Sequence, residues 1–237
     1  DGKTAKNISK LIKPDLRQRI RVDGSLKPAA PKLQSKQSVP SQITALMEGR
    51  KILTIVSSHF EDEQFAINSL KKIPKEIRPI LLIIPRHIER TENIRDQCTK
   101  ADLQCTILSE LSESTPISDV YVSNQIGAPA IWLPLTNFAL IGGTYCNTNG
   151  HNPWEPIQFG AAVLHGSKTA NFAEDFKELL ASDSSTEILE TDELAKIITQ
   201  TNFDQQIKNA SSLLQKKLSG IKVLSNDILL LLSSKPI

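Results

Sequence analysis

The chain has 237 residues, enough for one large domain with a real core, and its 39% hydrophobic and 23% charged content is that of an ordinary globular protein. Its 28 basic and 26 acidic side chains leave a formal net charge of only +2, which gives no electrostatic footprint for nucleic acid. The three cysteines, Cys98, Cys105 and Cys146, form no CxxC pair, so neither a disulfide framework nor a zinc site is expected, and unpaired core cysteines in a reducing cytoplasm are.

No signal peptide opens the chain, and its start, Asp1-Gly2-Lys3, reads as the edge of an excised segment. No apolar run approaches the ~20 residues of a membrane span, and Ile228-Leu229-Leu230-Leu231-Leu232 is far shorter. Residues 1–40 are basic and rich in Lys, Pro, Ser and Gln, which predicts a linker with one short extended element at Arg19-Ile20-Arg21-Val22. Ser38-Val39-Pro40-Ser41 predicts a helix start.

From residue 51 apolar runs alternate with amphipathic stretches. Lys51 to Val56 reads as a buried strand, and Glu61 to Ile73 as a helix with Phe65, Ile67, Leu70 and Ile73 on its inner face. Ile80 to Ile84 is a second strand, Ile88 to Lys100 its helix, and Leu103 to Leu108 a third strand. Val120 to Val122 and Phe138 to Ile141 are further short strands, separated by an apolar helical stretch around Ile131 to Leu135. Ala161 to Leu164 is another strand, followed by a helix over Phe172 to Leu180. The tail from Asp192 to Leu232 reads as helices, with Phe203, Ile207, Ser211, Leu214 and Leu218 on one face of the longest. Continuous apolar strands alternating with helices predict an α/β fold, a Rossmann-like doubly wound parallel sheet covered on both faces. The expected organisation is a linker over 1–40, a Rossmann-like domain over 41–200 and C-terminal helices over 201–237.

Ligands of a doubly wound sheet bind at the carboxyl ends of its strands. The residues just past the predicted strands are Ser57-Ser58-His59, Pro85-Arg86-His87, Ser123 to Gly127, and Gly142-Gly143-Thr144, and the unusual residues of the chain cluster there. Gly142-Gly143 suits either a close backbone approach to a phosphate or a plain turn. In Gly150-His151-Asn152-Pro153-Trp154-Glu155-Pro156, Pro153 fits a first helical turn, and Asn152 and Glu155 are spaced to face one site. Glu155 suits either the two hydroxyls of a ribose or a dipole partner on a capped surface helix. Arg86 offers a planar fork to a phosphate or is a solvated surface residue. His59 is either a ligand for phosphate or a sugar carboxylate, or structural. The acidic set Glu61, Asp62 and Glu63 is expected to be a solvated helix N-terminus rather than a metal site.

Taken together these loops resemble one family, the 3-deoxy-D-manno-octulosonic acid (Kdo) transferases of lipopolysaccharide assembly. Ile84-Pro85-Arg86-His87-Ile88-Glu89-Arg90 is similar to their strand-end PRHPER. Gly142-Gly143-Thr144 followed by Gly150 to Pro156 is similar to their GGS…GGHNPLEP, Ser57-Ser58-His59 to STH, Gly24-Ser25-Leu26-Lys27 to GNLK, and Asn171-Phe172 to the end of a GP…NF stretch. Order and spacing agree from about residue 20 onward. The chain departs from the pattern at Ile126-Gly127-Ala128, where the family has Met-Gly-Glu, at Glu61 in place of a glycine, and at Asn149-Gly150 in place of paired glycines.

The resemblance implies a lipid A Kdo transferase of GT-B architecture, this chain being its C-terminal, donor-binding half. Pro85 and Arg86 would contact the CMP phosphate and neighbouring atoms of CMP-Kdo. Ile126, Gly127 and Ala128 would line the nucleotide pocket, and Asn152, Pro153, Trp154 and Glu155 would hold CMP, with Glu155 on the ribose. His59, Gly142 and Gly143 are additional candidate donor contacts. It also implies a lipid A precursor (lipid IVA) as acceptor, a general base in the N-terminal half and thus no catalytic residue and no transfer by this chain alone. No metal and no cofactor beyond the donor substrate CMP-Kdo are expected, and the place of work would be the cytoplasmic face of a bacterial inner membrane. A non-catalytic nucleotide-binding module of the same fold and a GT-B transferase using another nucleotide sugar are the alternatives.

Overall fold

The computed structural model describes residues 2–35, 39, 44–45, 49–110 and 117–233. Seven parallel strands form one sheet in the order β3-β4-β2-β1-β5-β6-β7. They are β1 (Ile52–Ser58), β2 (Ile80–Pro85), β3 (Cys105–Ile107), β4 (Val120–Val122), β5 (Phe138–Ile141), β6 (Ala162–His165) and β7 (Ser185–Glu187). After β4 the chain crosses to the far side of β1 to begin β5. The connections therefore diverge at the C-terminal ends of β1 and β5, which is the topological switch point where doubly wound sheets open a crevice.

Alternation along the strands divides the core between two faces. Leu53, Ile55, Leu81, Ile83, Val120, Val122, Leu140 and Leu164 point to one face. There they meet Ala66, Ile67 and Leu70 of α2 (Phe60–Lys71), Ile94 and Cys98 of α3 (Thr91–Lys100), and Leu194 and Ile198 of α7 (Thr191–Gln200). On the opposite face, Ile52, Ile80, Leu82, Ile84 and Tyr121 pack on α4 (Ala128–Trp132). Ile141 and Val163 of that face pack on α5 (Trp154–Gln158), α6 (Ala173–Ala181) and α8 (Asp204–Ser233). Each fully buried Leu, Ile or Val contributes roughly 1.5–3 kcal/mol, so β1 and β2, buried along nearly their whole length, anchor the sheet.

Several elements depart from the sequence expectation. Residues 2–11, read as linker, form helix α1 (Gly2–Leu11), and Arg19 to Val22 joins no strand, Arg19 being the last residue of a 3-10 turn over Pro14–Arg19. The helix start expected at Ser38-Val39-Pro40-Ser41 falls largely outside the described residues. The helix expected from Ile88 begins at Thr91, after a 3-10 turn over Ile88–Arg90. Strand β7 was not anticipated, because Ser185-Thr186-Glu187 carries no apolar run; it is an edge strand with one flank open. Of the stripe expected along α8, Phe203 just before it and Leu214 are buried and Ile207 and Leu218 pack against the core, while Ser211 turns outward and Ala210 and Leu213 fill the buried face beside it. The far end of α8 exposes Val223, Ile228, Leu229, Leu230 and Leu232, yet no helix among the described residues is long and apolar enough to cross a membrane.

Candidate functional site at the topological switch point

Three short segments meet at the C-terminal ends of β1, β2 and β5, and their meeting is written into the backbone. Ser57 takes a left-handed φ of 58° and drops out of register between β1 and β2, forming a bulge. Its carbonyl is thereby turned against Gly142, where a β-carbon would lie 2.2 Å from the Ser57 oxygen and 2.7 Å from that of Val56. Only glycine fits. The Gly142 N–H donates to the Val56 carbonyl at 2.9 Å, and the Arg86 N–H donates to the Ser58 carbonyl at 3.0 Å, which extends the ladder into both flanking loops.

The loop after β5 folds back on itself. The Gly150 N–H donates to the Gly143 carbonyl at 2.8 Å and the His151 N–H to that of Gly142 at 3.1 Å, so the segment bearing His151, Asn152 and Glu155 sits directly on the glycine pair. Gly143 and Gly150 both have positive φ, 73° and 85°. Asn171 holds this loop from outside. Its side chain donates to the Thr148 carbonyl at 2.7 Å, and Lys27 donates to the Asn171 carbonyl at 2.9 Å while lying 3.6 Å above the Phe172 ring. The two short motifs Gly24 to Lys27 and Asn171-Phe172, far apart in sequence, are thus in contact.

The acidic residues opening α2 are not the solvated cluster that the sequence suggested. Glu61 is exposed, but Asp62 and Glu63 are fully buried. The Asp62 carboxylate accepts from three backbone amides, His59 at 2.9 Å, Gly143 at 2.7 Å and Tyr145 at 3.1 Å, and so ties the β1 loop to the β5 loop. Burial pushes its carboxyl above the ordinary aspartate range, and the three amides pull it partly back. Glu63 accepts from Ser58 Oγ at 3.0 Å, Arg90 at 2.6 Å and Gln97 at 3.0 Å, and so ties the β1 loop to the segment after β2. Ser58→Ala should remove one neutral donor from this network and lower the unfolding free energy by about 1 kcal/mol, measurable by urea denaturation.

Above this scaffold lie the candidate ligand groups. Pro85 ends β2 and is buried, while Arg86 and His87 beside it are exposed. His59 Nε2 and His151 Nε2 are 2.9 Å apart with rings stacked at 5.1 Å, and the His87 ring meets His59 edge-on at 6.1 Å. Burial lowers His59, and it lowers His151 to about 4, with His59, Arg86 and His87 adding repulsion at His151. Asn152 turns back on the start of α5. Its Oδ1 accepts from the Trp154 amide at 3.1 Å, and its Nδ2 donates to Glu155 Oε1 at 3.2 Å. Glu155 is half-buried, and burial raises its carboxyl above the usual glutamate range. Pro153 caps α5, and the Trp154 indole is fully buried and donates to Asp175 at 3.0 Å, a supporting position rather than an exposed one.

The loop after β4 is different. Ile126 is 90% exposed, Gly127 turns the chain with φ 79°, and Ala128 is buried against Ile131, Trp132 and the sheet. Ser123 Oγ at the end of β4 is buried with no hydrogen-bond partner among the described residues, leaving a polar atom available there. His87, His151, Asp62 and Glu63 were not among the residues selected from the sequence. Of the two histidines, His87 carries the signal that singles out His59, a His just past a strand end, whereas His151 lies well beyond the end of β5 at Ile141. Among the described residues no set of His, Cys, Asp or Glu is grouped to hold a metal ion. A cavity of about 470 Å³ opens at the opposite end of the sheet, beside Lys51, Asn137 and Phe203, and contains none of these groups.

No family model matches the chain. It is 25% identical over 190 residues to a 3-deoxy-D-manno-octulosonic acid transferase of Rickettsia bellii, covering 78% of this chain and 45% of that one. It is 26% identical over 156 residues to the Haemophilus influenzae enzyme of the same name, covering 65% and 36%. In structure it matches the C-terminal CMP-Kdo binding domain of WaaA from Acinetobacter baumannii with a TM-score of 0.64 and 20% identity, over 74% of this chain and 98% of that domain. The chain is similar to the Kdo transferases. It spans less than half the length of the two transferases it matches in sequence, and its fold is that of one half of a GT-B glycosyltransferase. Anabaena HepE in complex with UDP and glucose shares that fold with a TM-score of 0.55 and 15% identity, over 84% of this chain and 53% of HepE.

Proposed function

We propose that this chain is the donor-binding half of a Kdo transferase and holds CMP-Kdo in the crevice between β1, β2 and β5. The observation that carries the reading is the convergence of Arg86, His59, His151, Asn152 and Glu155 from separate strand ends onto one scaffold, ordered as in the Kdo transferases. In this reading Arg86 faces the phosphate of CMP. Glu155, with a carboxylate already partly desolvated and oriented by Asn152, grips the ribose hydroxyls. Pro153 and Trp154 set the start of α5, and Gly142 and Gly143 let the backbone come close. Ile126 and Gly127 border the nucleotide, with Ala128 beneath them.

In the whole enzyme the acceptor is a lipid A precursor, lipid IVA. A carboxylate of the N-terminal half removes the proton from its hydroxyl as that oxygen bonds to the Kdo anomeric carbon, while the bond from the anomeric carbon to the phosphate oxygen breaks and CMP departs with the electron pair. No metal or cofactor enters this step. A lipid acceptor places the enzyme at the cytoplasmic face of the bacterial inner membrane, and this half alone binds nucleotide without transferring sugar.

Calorimetric titration with CMP tests the site. Glu155→Ala should weaken CMP binding by on the order of 1–3 kcal/mol, the loss of charge-assisted hydrogen bonds in a partly buried site. Unchanged affinity would remove Glu155 from the nucleotide contacts. The likeness to HepE, solved with UDP, makes UMP the comparison ligand, and tighter binding of UMP than of CMP would point to a different nucleotide sugar.

A further inference from the structure

Positive charge and exposed apolar surface are concentrated in two segments that touch. Residues 1–21 carry seven basic and two acidic side chains, a net of +5, against +2 for the whole chain, which leaves the remaining residues net negative. Helix α1 contains no acidic residue, and its Lys6 and Lys10, with Lys13 just past it, are exposed beside the exposed Ile8 and Leu11. The segment is tied to the α6–α8 pair at both ends. Gly2 lies beside Glu174 on α6, the helix that Lys217 of α8 meets through Glu178, and Arg21 donates to Asp227 of α8 at 2.8 Å. Asp227 is the one acidic residue of the sequence from Leu218 to Ser233, and Arg21 answers its charge. Val22 next to Arg21 and Val223 one turn before Asp227 are exposed. Directly after Asp227 the sequence runs Ile228-Leu229-Leu230-Leu231-Leu232, and Ile228, Leu229, Leu230 and Leu232 are from 48% to 68% exposed. At 3.6 residues per turn these four side chains point to different sides of the helix, so this end is apolar all round and not along one stripe. A flat protein face covers one side of a helix, whereas an end that is apolar all round needs a medium that encloses it. Five residues span about 7.5 Å, which matches the roughly 5–10 Å to which apolar side chains enter the boundary between lipid headgroups and acyl chains.

We infer that the end of α8 and the basic segment 1–21 form a docking surface for an anionic lipid bilayer, the leucines entering the interface and the lysines and arginines gathering acidic headgroups around them. This rests on the reading above for the membrane that the enzyme serves, and adds the residues that make the contact. Charge complementarity selects lipid over a second copy of this chain. Two copies meeting here would bring two strongly basic segments together, whereas acidic lipids raise affinity by about fivefold for each Lys or Arg near the surface. The two features also need each other, because a short apolar group alone gives only marginal, reversible contact with a bilayer and an added basic patch makes it stable. Ala210, Leu213 and Leu214 of α8 pack against Trp154 and Ile157 of α5, so a bilayer that holds the end of α8 also holds the helix that presents Glu155 to the donor.

The test is sedimentation of this chain with vesicles of phosphatidylglycerol mixed with phosphatidylethanolamine, and with vesicles of phosphatidylcholine. Binding is expected to the anionic vesicles, at least about tenfold weaker to the neutral ones, and falling as added salt screens the charges. Combining Leu229→Ser with Leu230→Ser should weaken binding to the anionic vesicles at least about tenfold. Combining Lys6→Gln, Lys10→Gln and Lys13→Gln should weaken it by a similar factor and flatten its salt dependence. All five side chains are exposed, so Tm and CMP affinity should stay as in the parent. Equal binding to the two kinds of vesicle, binding that neither variant weakens, or no binding by the folded protein overturns the surface. Light scattering that shows a dimer abolished by the leucine changes, with no vesicle binding, assigns the face to a second copy and overturns it too. CMP binding without vesicle binding leaves the donor site standing, and vesicle binding without CMP binding removes the donor site and leaves the surface.

Discussion

Asp62→Ala should destabilise the protein by about 3–5 kcal/mol, an effect out of proportion to a residue on the first turn of a helix. An ordinary carboxylate there interacts with the helix dipole for a few tenths of a kcal/mol, up to about one. Asp62 is instead fully buried and is the sole side chain accepting from the His59, Gly143 and Tyr145 amides among the described contacts. Removing it strands three N–H groups, each of which costs roughly 1–3 kcal/mol when left unpaired in the interior, less where water can reach. Glu61→Ala, one position away and exposed, is the matched control and should stay within about 0.5 kcal/mol of the parent. Urea unfolding of both variants measures the contrast. If Asp62→Ala unfolds like Glu61→Ala, the two loops are not held by this carboxylate. Because those loops carry His59 and His151, CMP affinity should fall in the same variant even under conditions where it remains folded.

Asp62 also shows where sequence reading stops. The run Glu61-Asp62-Glu63 has one-dimensional character only as acidic, and helical dipole logic assigns all three to solvent. Burial of the second and third depends on partners far along the chain, the Gly143 and Tyr145 amides for one and Arg90 and Gln97 for the other, which no local pattern announces. The strands were legible because parallel strands buried on both faces leave unbroken apolar runs, as in Ile80 to Ile84. Edge strand β7 lacked such a run and was missed, and α1 was missed because Gly2 to Leu11 has little apolar content to place. Part of the site was visible because polar and glycine residues at strand ends stand out against apolar strands, which selected His59, Arg86, Gly142 and Gly143. His151 is not legible in the sequence because its pairing with His59 is a property of the folded loops, with 92 residues separating the two. The resemblance to the Kdo transferases implies a pocket position for Ala128, whereas its own side chain faces the core.

Gly142→Ala should be the most damaging of the glycine substitutions, at about 3 kcal/mol, and should abolish CMP binding. The cost is steric rather than conformational, since Gly142 is not among the glycines with positive φ. Its added methyl would meet the Ser57 carbonyl oxygen at 2.2 Å and carbon at 2.6 Å, atoms of a backbone that is itself fixed by the bulge between β1 and β2. Flexible side chains relieve such overlaps cheaply, but here relief requires β1 and β5 to separate at their C-terminal ends, and overpacking of that kind costs 1–3 kcal/mol or more. The control is Gly160→Ala, which has φ 81° and nothing within 4 Å of the new methyl, so it isolates the left-handed backbone penalty of about 1–2 kcal/mol. For a chain of this size each kcal/mol lowers Tm by about 2–4 °C, so thermal melting resolves the two variants. The decisive comparison is in binding. Gly160 lies beyond the C-terminal end of α5, and its variant, once folded, should bind CMP as the parent does. Gly142→Ala should fail to bind even when stabilised by cold or osmolyte, because the displaced strand ends carry His59 on one side and the support of His151 on the other. Equal CMP affinity in the two variants would mean that the approach of β1 to β5 shapes the fold but not the site.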